Sequence, residues 1–207
     1  MIKTLSNENF ENNDFKFATA KFITINGTKI WTQRLSYVGE LGFELYVEFK
    51  DAKKIYELIL DTGKNFNLSN CGMRTMDVMR MESGFLHWGH DISPEENQYE
   101  AGLNFAISYK KDIKFIGRDT LFKIKDKKLN KRLVMLCLKE SNPGEPLLLH
   151  DEPIYLDDKI IGVTTSGNFS FNYNKNLSFG YITLDFSNEE LLEKNLYIEI
   201  EKKKYSA

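Results

Sequence analysis

The run Leu35-Ser36-Tyr37-Val38-Gly39-Glu40-Leu41-Gly42-Phe43-Glu44-Leu45-Tyr46 constrains this chain most, because two glycines and two carboxylates interrupt an otherwise alternating strand pattern. It predicts a strand, a tight corner and a second strand. From Phe43 to Phe49 the apolar residues Phe43, Leu45, Val47 and Phe49 fall on one side, and Glu44, Tyr46 and Glu48 fall on the other. Glu44 and Tyr46 can therefore address the same ligand. Gly39 and Gly42 allow positive φ and a close backbone approach to whatever binds there. On these residues alone, a surface hairpin with solvated glutamates explains the pattern better than a binding strand does.

With 42% hydrophobic and 28% charged residues the chain is an ordinary globular sequence, long enough for one large domain or two small ones. A formal net charge of -2 gives no general attraction to phosphate backbones or anionic membranes, so neither nucleic acid nor membrane is expected as a partner. The basic clusters at Lys123 to Arg132 and Lys202 to Lys204 read as solvated faces. Cys71 and Cys137 lack C-x-x-C spacing and further cysteines to pair with, which fits a reducing, cytoplasmic compartment. No apolar run is long enough to span a bilayer.

Strands alternate with helices in the first part, whereas the last third is almost entirely strand-like. This places a boundary near Lys128 to Asn130 and predicts two domains, 1–128 and 129–207. Asn26-Gly27 between Lys21 to Ile25 and Thr28 to Tyr37 is a type I′ hairpin signal. A helix is expected after Asp51, capped by that residue, with Ala52, Ile55, Tyr56, Ile59 and Leu60 at helical spacing and Gly63 as its stop. Gly72 to Ser83 reads as a mostly buried helix closed by Gly84, its methionines filling core. From Lys131 onward, strands at 131–138, Pro153 to Leu156, Ile160 to Thr165, Leu177 to Thr183 and Leu196 to Ile200 predict a small antiparallel barrel or sandwich. Its expected turns are Pro143-Gly144, Asp157-Asp158 and Ser166-Gly167.

His87, His90 and Asp91 form the one cluster suggestive of a metal. No third histidine or cysteine ligand lies nearby, so no metal site is assigned. No G-x-G-x-x-G fingerprint and no phosphate-cradling Gly-Lys-Ser/Thr loop occurs either.

The block ending at Tyr46 is accompanied, in a fixed order, by further short runs. They are Asp14-Phe15-Lys16-Phe17, Arg80-Met81-Glu82, Trp88-Gly89, Glu100-Ala101-Gly102-Leu103, Phe115-Ile116-Gly117, Lys131-Arg132-Leu133-Val134 and Thr164-Thr165-Ser166-Gly167. In these residues the chain resembles the glycine-cleavage T-protein (aminomethyltransferase) family. It is most similar to the form fused to dimethylglycine and sarcosine dehydrogenases, where the block reads close to S-Y-T-G-E-L-G-W-E-L-Y. The resemblance implies an α+β chain: the C-terminal part of an aminomethyltransferase folate-binding domain, an antiparallel sheet with helices, followed by a small antiparallel β-barrel. Because the chain ends at Tyr205-Ser206-Ala207, it also implies a barrel short of its closing strand.

The same resemblance implies tetrahydrofolate as ligand and transfer of a one-carbon unit to it from a methylated amine or from a glycine-derived aminomethyl group. The positions matching folate contacts are Tyr37, Glu44, Leu45, Tyr46 and Phe105, the last standing where relatives hold tyrosine. A carboxylate such as Glu44 accepts the two adjacent N–H donors of a reduced pterin in one planar contact. Glu40 is the runner-up carboxylate, with a solvated turn acid as its plainer role. Arg80 and Glu82 match an Arg-x-Glu pair and serve either ligand contact or a charge network at the helix end. Trp88 is expected to wall a ligand cavity.

Stand-alone aminomethyltransferases carry an arginine before the aspartate of this helix. Here Met76 precedes Asp77, which sides with the dehydrogenase-fused relatives, and Arg74 lies on a different helix face. The resemblance further implies that the family's catalytic aspartate belongs to an upstream segment. A flavin-containing dehydrogenase segment, upstream or separate, would then be the partner that holds FAD, this chain itself binding none and being incomplete for catalysis alone. Asp77 and Asp91, the latter a loop acid with no identified partner, do not read as replacements. The alternative is a non-catalytic interaction or regulatory protein that retains the aminomethyltransferase scaffold.

Overall fold

In the computed structural model, residues 1–183 and 186–207 are described. The chain divides into two compact units, Met1–Met76 and Asp77–Ala207.

The first unit contains the short helix α1 (Ile2–Leu5), strands β1 (Ala20–Ile25), β2 (Thr28–Gln33) and β3 (Glu44–Tyr46), and helix α2 (Phe49–Gly63). The strands form an antiparallel three-stranded sheet in the order β1-β2-β3. Asn26 at φ 47° and Gly27 at φ 76° make the β1–β2 turn, both positive as the type I′ signal requires. One sheet face is apolar: Ile23, Ile25 and Ile30 join Phe10, Phe15 and the α2 residue Ile55 in a buried cluster, with Phe43, Leu45 and Val47 packed against it. Phe22, Trp31 and Tyr46 stand on the opposite face.

The expected alternation through Phe49 fails at its end. β3 stops at Tyr46, and Phe49 opens α2 with its side chain 99% exposed. Glu48, not Asp51, is the N-cap residue, and Asp51 instead places its charge in the first turn, where it favours the helix dipole. The corner needs its glycines for different reasons. Gly39 adopts φ 75°. Gly42 has no positive φ; a Cβ there would lie 2.9 Å from Ser36 Cβ, so close approach within the loop demands it.

Helix α3 (Met73–Glu82) crosses from one unit to the other in sequence. Gly84 at φ 76° ends it, with Phe85 N–H returning to the Arg80 carbonyl. The helix is less buried than its methionines suggest: Met81 is sealed, while Met73 is 69% exposed. The second unit continues through α4 (Arg118–Ile124), β4 (Arg132–Cys137), β5 (Pro153–Leu156), β6 (Lys159–Ser170), β7 (Lys175–Ile182), α5 (Asn188–Leu192), β8 (Leu196–Ile200) and β9 (Lys203–Ser206). Six strands pair in the order β4-β7-β6-β5-β8-β9, every adjacent pair antiparallel. Among the described residues the ladder is open, and a backbone bond runs from Lys139 N–H, just beyond β4, to the Ser206 carbonyl of β9. Leu136, Leu138, Ile154, Ile161, Ile182 and Ile198 lie at its centre. β9, which the sequence pattern missed, is a continuation of the β8 hairpin, with Glu201 and Lys202 at positive φ.

Ser166-Gly167 is not a turn. Both residues lie inside the twelve-residue β6, at a register shift between Thr164 and Ser166. The small polar residues that suggested a turn serve a bulge instead. The reversal comes later, before β7, with Asn174 at φ 53°.

Candidate functional site

β3 carries Glu44 and Tyr46 onto the open face of the first unit's sheet. The Tyr46 hydroxyl donates to Glu44 Oε2 at 2.7 Å, and both residues are exposed. That bond to the carboxylate, with partial desolvation and the negative charge beside it, holds the Tyr46 phenol above its ordinary pKa. The two-residue spacing thus produces an oriented acid and not two independent surface groups. Leu45 points the other way, into the Ile23–Ile30 cluster, so its approach to a ligand on the outer face would be through the main chain. Tyr37 is half-buried in the loop between β2 and β3, and Glu40 is exposed at the corner. Phe105 belongs to the second unit, in a short 3-10 turn at Asn104–Ala106, with its ring 81% exposed.

Arg80 and Asp91 form a polar core within the second unit that the sequence did not reveal. Arg80 Nη1 lies 2.5 Å from Asp91 Oδ2, with side chains 2% and 0% exposed. Each guanidinium nitrogen has a partner: Nε donates to Asp77, Nη1 also to the Phe85 carbonyl, and Nη2 to Ser166 Oγ at 2.8 Å. Asp91 also accepts from the Thr165 hydroxyl at 2.6 Å and from the His87 N–H at 2.8 Å. The β6 bulge explains how consecutive residues Thr165 and Ser166 both reach this pair, since in a regular strand they would face opposite sides. Glu82 extends the same attachment by accepting from Ser170 and Asn172.

These bonds correct the reading of Asp91 as a loop acid without a partner. They also give Arg80 and Glu82 the helix-end network role. The Arg80-Met81-Glu82 and Thr164-Thr165-Ser166-Gly167 runs, far apart in sequence, are two sides of one hydrogen-bonded core.

Beside this core a cavity of about 560 Å³ opens, with Gly89, His90, Lys131, Glu96 and Tyr181 in its wall; Trp88 is not among its lining residues. Lys131 is paired with Glu96 at 2.5 Å and sits over the Tyr181 ring at 4.8 Å. Burial, then the charges of Glu96, Asp91 and Glu100, push the Tyr181 phenol far up. His87 and His90 have ring centroids 4.6 Å apart, but Asp91 is committed to Arg80 and Thr165. Among the described residues no group of three or more His, Cys, Asp or Glu side chains could hold a metal ion. No helix among them is long and apolar enough to cross a membrane.

Residues 1–111 match the family model for the GCVT N-terminal domain, and residues 131–207 match that for the glycine cleavage T-protein C-terminal barrel domain. The chain belongs to the glycine cleavage T-protein family. Among its relatives in that family is human mitochondrial dimethylglycine dehydrogenase, 33% identical over 94% of this chain and 23% of the relative. The aminomethyltransferase of Symbiobacterium thermophilum is 34% identical over 83% of this chain and 45% of its own length. The crystal structure of glycine cleavage system aminomethyltransferase T from Bartonella henselae superposes with a TM-score of 0.76 at 21% identity, over 95% of this chain and 52% of that one. That likeness shows the T-protein fold. The chain spans about half the length of these aminomethyltransferases and about a quarter of the dehydrogenase.

Proposed function

We propose that this chain supplies part of a tetrahydrofolate site in an enzyme that passes a one-carbon unit to the folate. The donor would be a methylated amine of the dimethylglycine or sarcosine type, or a glycine-derived aminomethyl group. The observation that carries the reading is the Glu44 carboxylate, exposed on an open sheet face and oriented by the Tyr46 hydroxyl. A carboxylate with one oxygen so held retains lone pairs for two parallel donors, the pattern that a reduced pterin offers. The residues present therefore fit the group.

Tetrahydrofolate supplies the nitrogen nucleophile that takes up the carbon unit. Glu44 would accept the pterin donors, and Tyr46 would fix the carboxylate. Tyr37 and the Leu45 main chain would border the ligand; Phe105, in the second unit, remains a candidate on the family resemblance alone. The chain's contribution is orientation and exclusion of water. The membership of the T-protein family supports this assignment, as do relatives named dimethylglycine dehydrogenase, sarcosine dehydrogenase and aminomethyltransferase. Domain limits of 1–128 and 129–207 are part of this proposal; they differ from the two compact units, which divide between Met76 and Asp77. A flavin-containing dehydrogenase segment, fused or separate, is the partner we propose. Calorimetric titration of tetrahydrofolate into the chain tests the reading. Saturable binding that Glu44→Ala weakens strongly is the expected result; binding indifferent to that change would remove Glu44 from the site.

A further inference from the structure

The solvent-facing side of the first unit's sheet carries a row of three aromatic rings. Phe22 pairs with Trp31 across β1 and β2, and Trp31 pairs with Tyr46 across β2 and β3, so the three side chains stand abreast. They are 51%, 37% and 53% exposed. Phe22 meets the indole edge-on, with centroids 4.9 Å apart and planes at 64°, which supports the Trp31 ring from one side. The next row on the same face holds the cross-strand pair Gln33 and Glu44. Glu44 is thus a diagonal neighbour of Trp31, at a spacing of about 7 Å on a pleated surface, within reach of an aromatic ring.

Such a row is costly to leave in water, at about 25 cal/mol for each Å² of apolar surface. Its occupant is constrained by the acid beside it. A purely apolar surface laid over Trp31 would strip water from Glu44 without returning a donor. A flat heterocycle with N–H groups along one edge satisfies both features, its π-face covering the indole while its rim meets the carboxylate.

We infer that Trp31 is a further ligand-binding residue of this site, its indole stacking on the flat pyrimidinone half of the pterin whose edge donors go to Glu44. The inference rests on the reading of the ligand as a reduced folate. Tyr46 then serves twice, extending the aromatic row and holding the carboxylate. Nothing in the alternating pattern of β2 distinguishes Trp31 from a chance surface aromatic; the cross-strand register does.

The test uses the full 207-residue chain. Tetrahydrofolate, and a tetrahydropterin lacking the benzoylglutamate tail, are titrated calorimetrically into the wild type and into Glu44→Ala, Trp31→Ala, Trp31→Thr and Trp31→Phe variants, with circular dichroism checking each fold. Trp31→Ala and Trp31→Thr are expected to weaken both ligands about tenfold, as loss of a stacked ring does, and Trp31→Phe to recover most of the affinity. The threonine variant keeps strand propensity, so its loss reports stacking and not a damaged strand. If both ligands bind in a Glu44-dependent way and ignore the Trp31 changes, the indole assignment is overturned while the folate reading stands. A loss confined to tetrahydrofolate also overturns it, since Trp31 would then serve the tail. If the wild type binds neither ligand, both readings fall.

Discussion

Arg80 Nη1 and Asp91 Oδ2 meet at 2.5 Å inside the second unit, and the Thr165 hydroxyl closes on the other Asp91 oxygen at 2.6 Å. The pair ties the end of α3 and its following loop to a bulge in β6, and the Tyr181 hydroxyl adds a bond to the Asp91 carbonyl at 2.9 Å. Breaking a buried ion pair from one side strands the other charge. Asp91→Asn is therefore expected to cost about 3–5 kcal/mol of unfolding free energy. Thr165→Val, which removes one hydrogen bond and keeps the shape, should cost about 1 kcal/mol. Urea unfolding followed by far-ultraviolet circular dichroism measures both; an Asp91→Asn loss no larger than that of Thr165→Val would show that the pair does not hold this core together.

The Tyr46 phenol should titrate above the ordinary tyrosine range because it donates to Glu44. Glu44→Ala removes the acceptor and the neighbouring charge together, so the Tyr46 titration is expected to move down. Tyr46→Phe should leave the fold intact yet weaken folate binding several-fold through loss of the held carboxylate. Spectrophotometric pH titration, with Tyr46→Phe identifying the relevant step, checks the first claim, and calorimetry checks the second.

Acid should loosen the second unit through two glutamates. Burial raises the pKa of Glu82, but the bonds from Ser170 and Asn172 outweigh it and leave the group below its ordinary value. Glu96 behaves likewise, with burial opposed by Lys131 and Ser93. A depressed folded-state pKa means stability that is present above the unfolded value, near 4.5 in both cases, and lost as pH falls through the folded one. Stability should therefore be flat from neutral pH down to that value and fall below it. Glu82→Gln and Glu96→Gln should each flatten the fall. Equal acid sensitivity in the wild type and the double variant would exclude these residues as its source.

Gly42→Ala should damage the corner that carries Tyr37. The new Cβ would stand 2.9 Å from Ser36 Cβ and 3.2 Å from the Leu35 carbonyl oxygen, so the loop must shift. A destabilisation of about 1–3 kcal/mol is expected for such overpacking. Gly39→Ala, forced to φ 75°, should cost about 1–2 kcal/mol by a different route, left-handed backbone strain. Thermal unfolding of the two variants, read with folate affinity, separates the effects: Gly42→Ala should perturb both.

Local chemistry fixed what the sequence by itself could determine. Asn26-Gly27 specifies its turn because both residues tolerate positive φ, and Pro153 to Leu156 and Leu196 to Ile200 are strands at the limits that their apolar alternation sets. The shared face of Glu44 and Tyr46 followed from the same alternation, whereas the α+β class and the family came from the resemblance carried by the ordered short runs. Phe49 was misread because period-two alternation says nothing about where a helix begins, and Ser166-Gly167 because small polar residues suit a bulge as well as a turn. Only the tertiary structure could join Arg80 to Asp91, Thr165 and Ser166, since a register shift in β6 aims those last two side chains together. It alone could set Trp31 between Phe22 and Tyr46, because strand register is a relation between segments and no single segment encodes it.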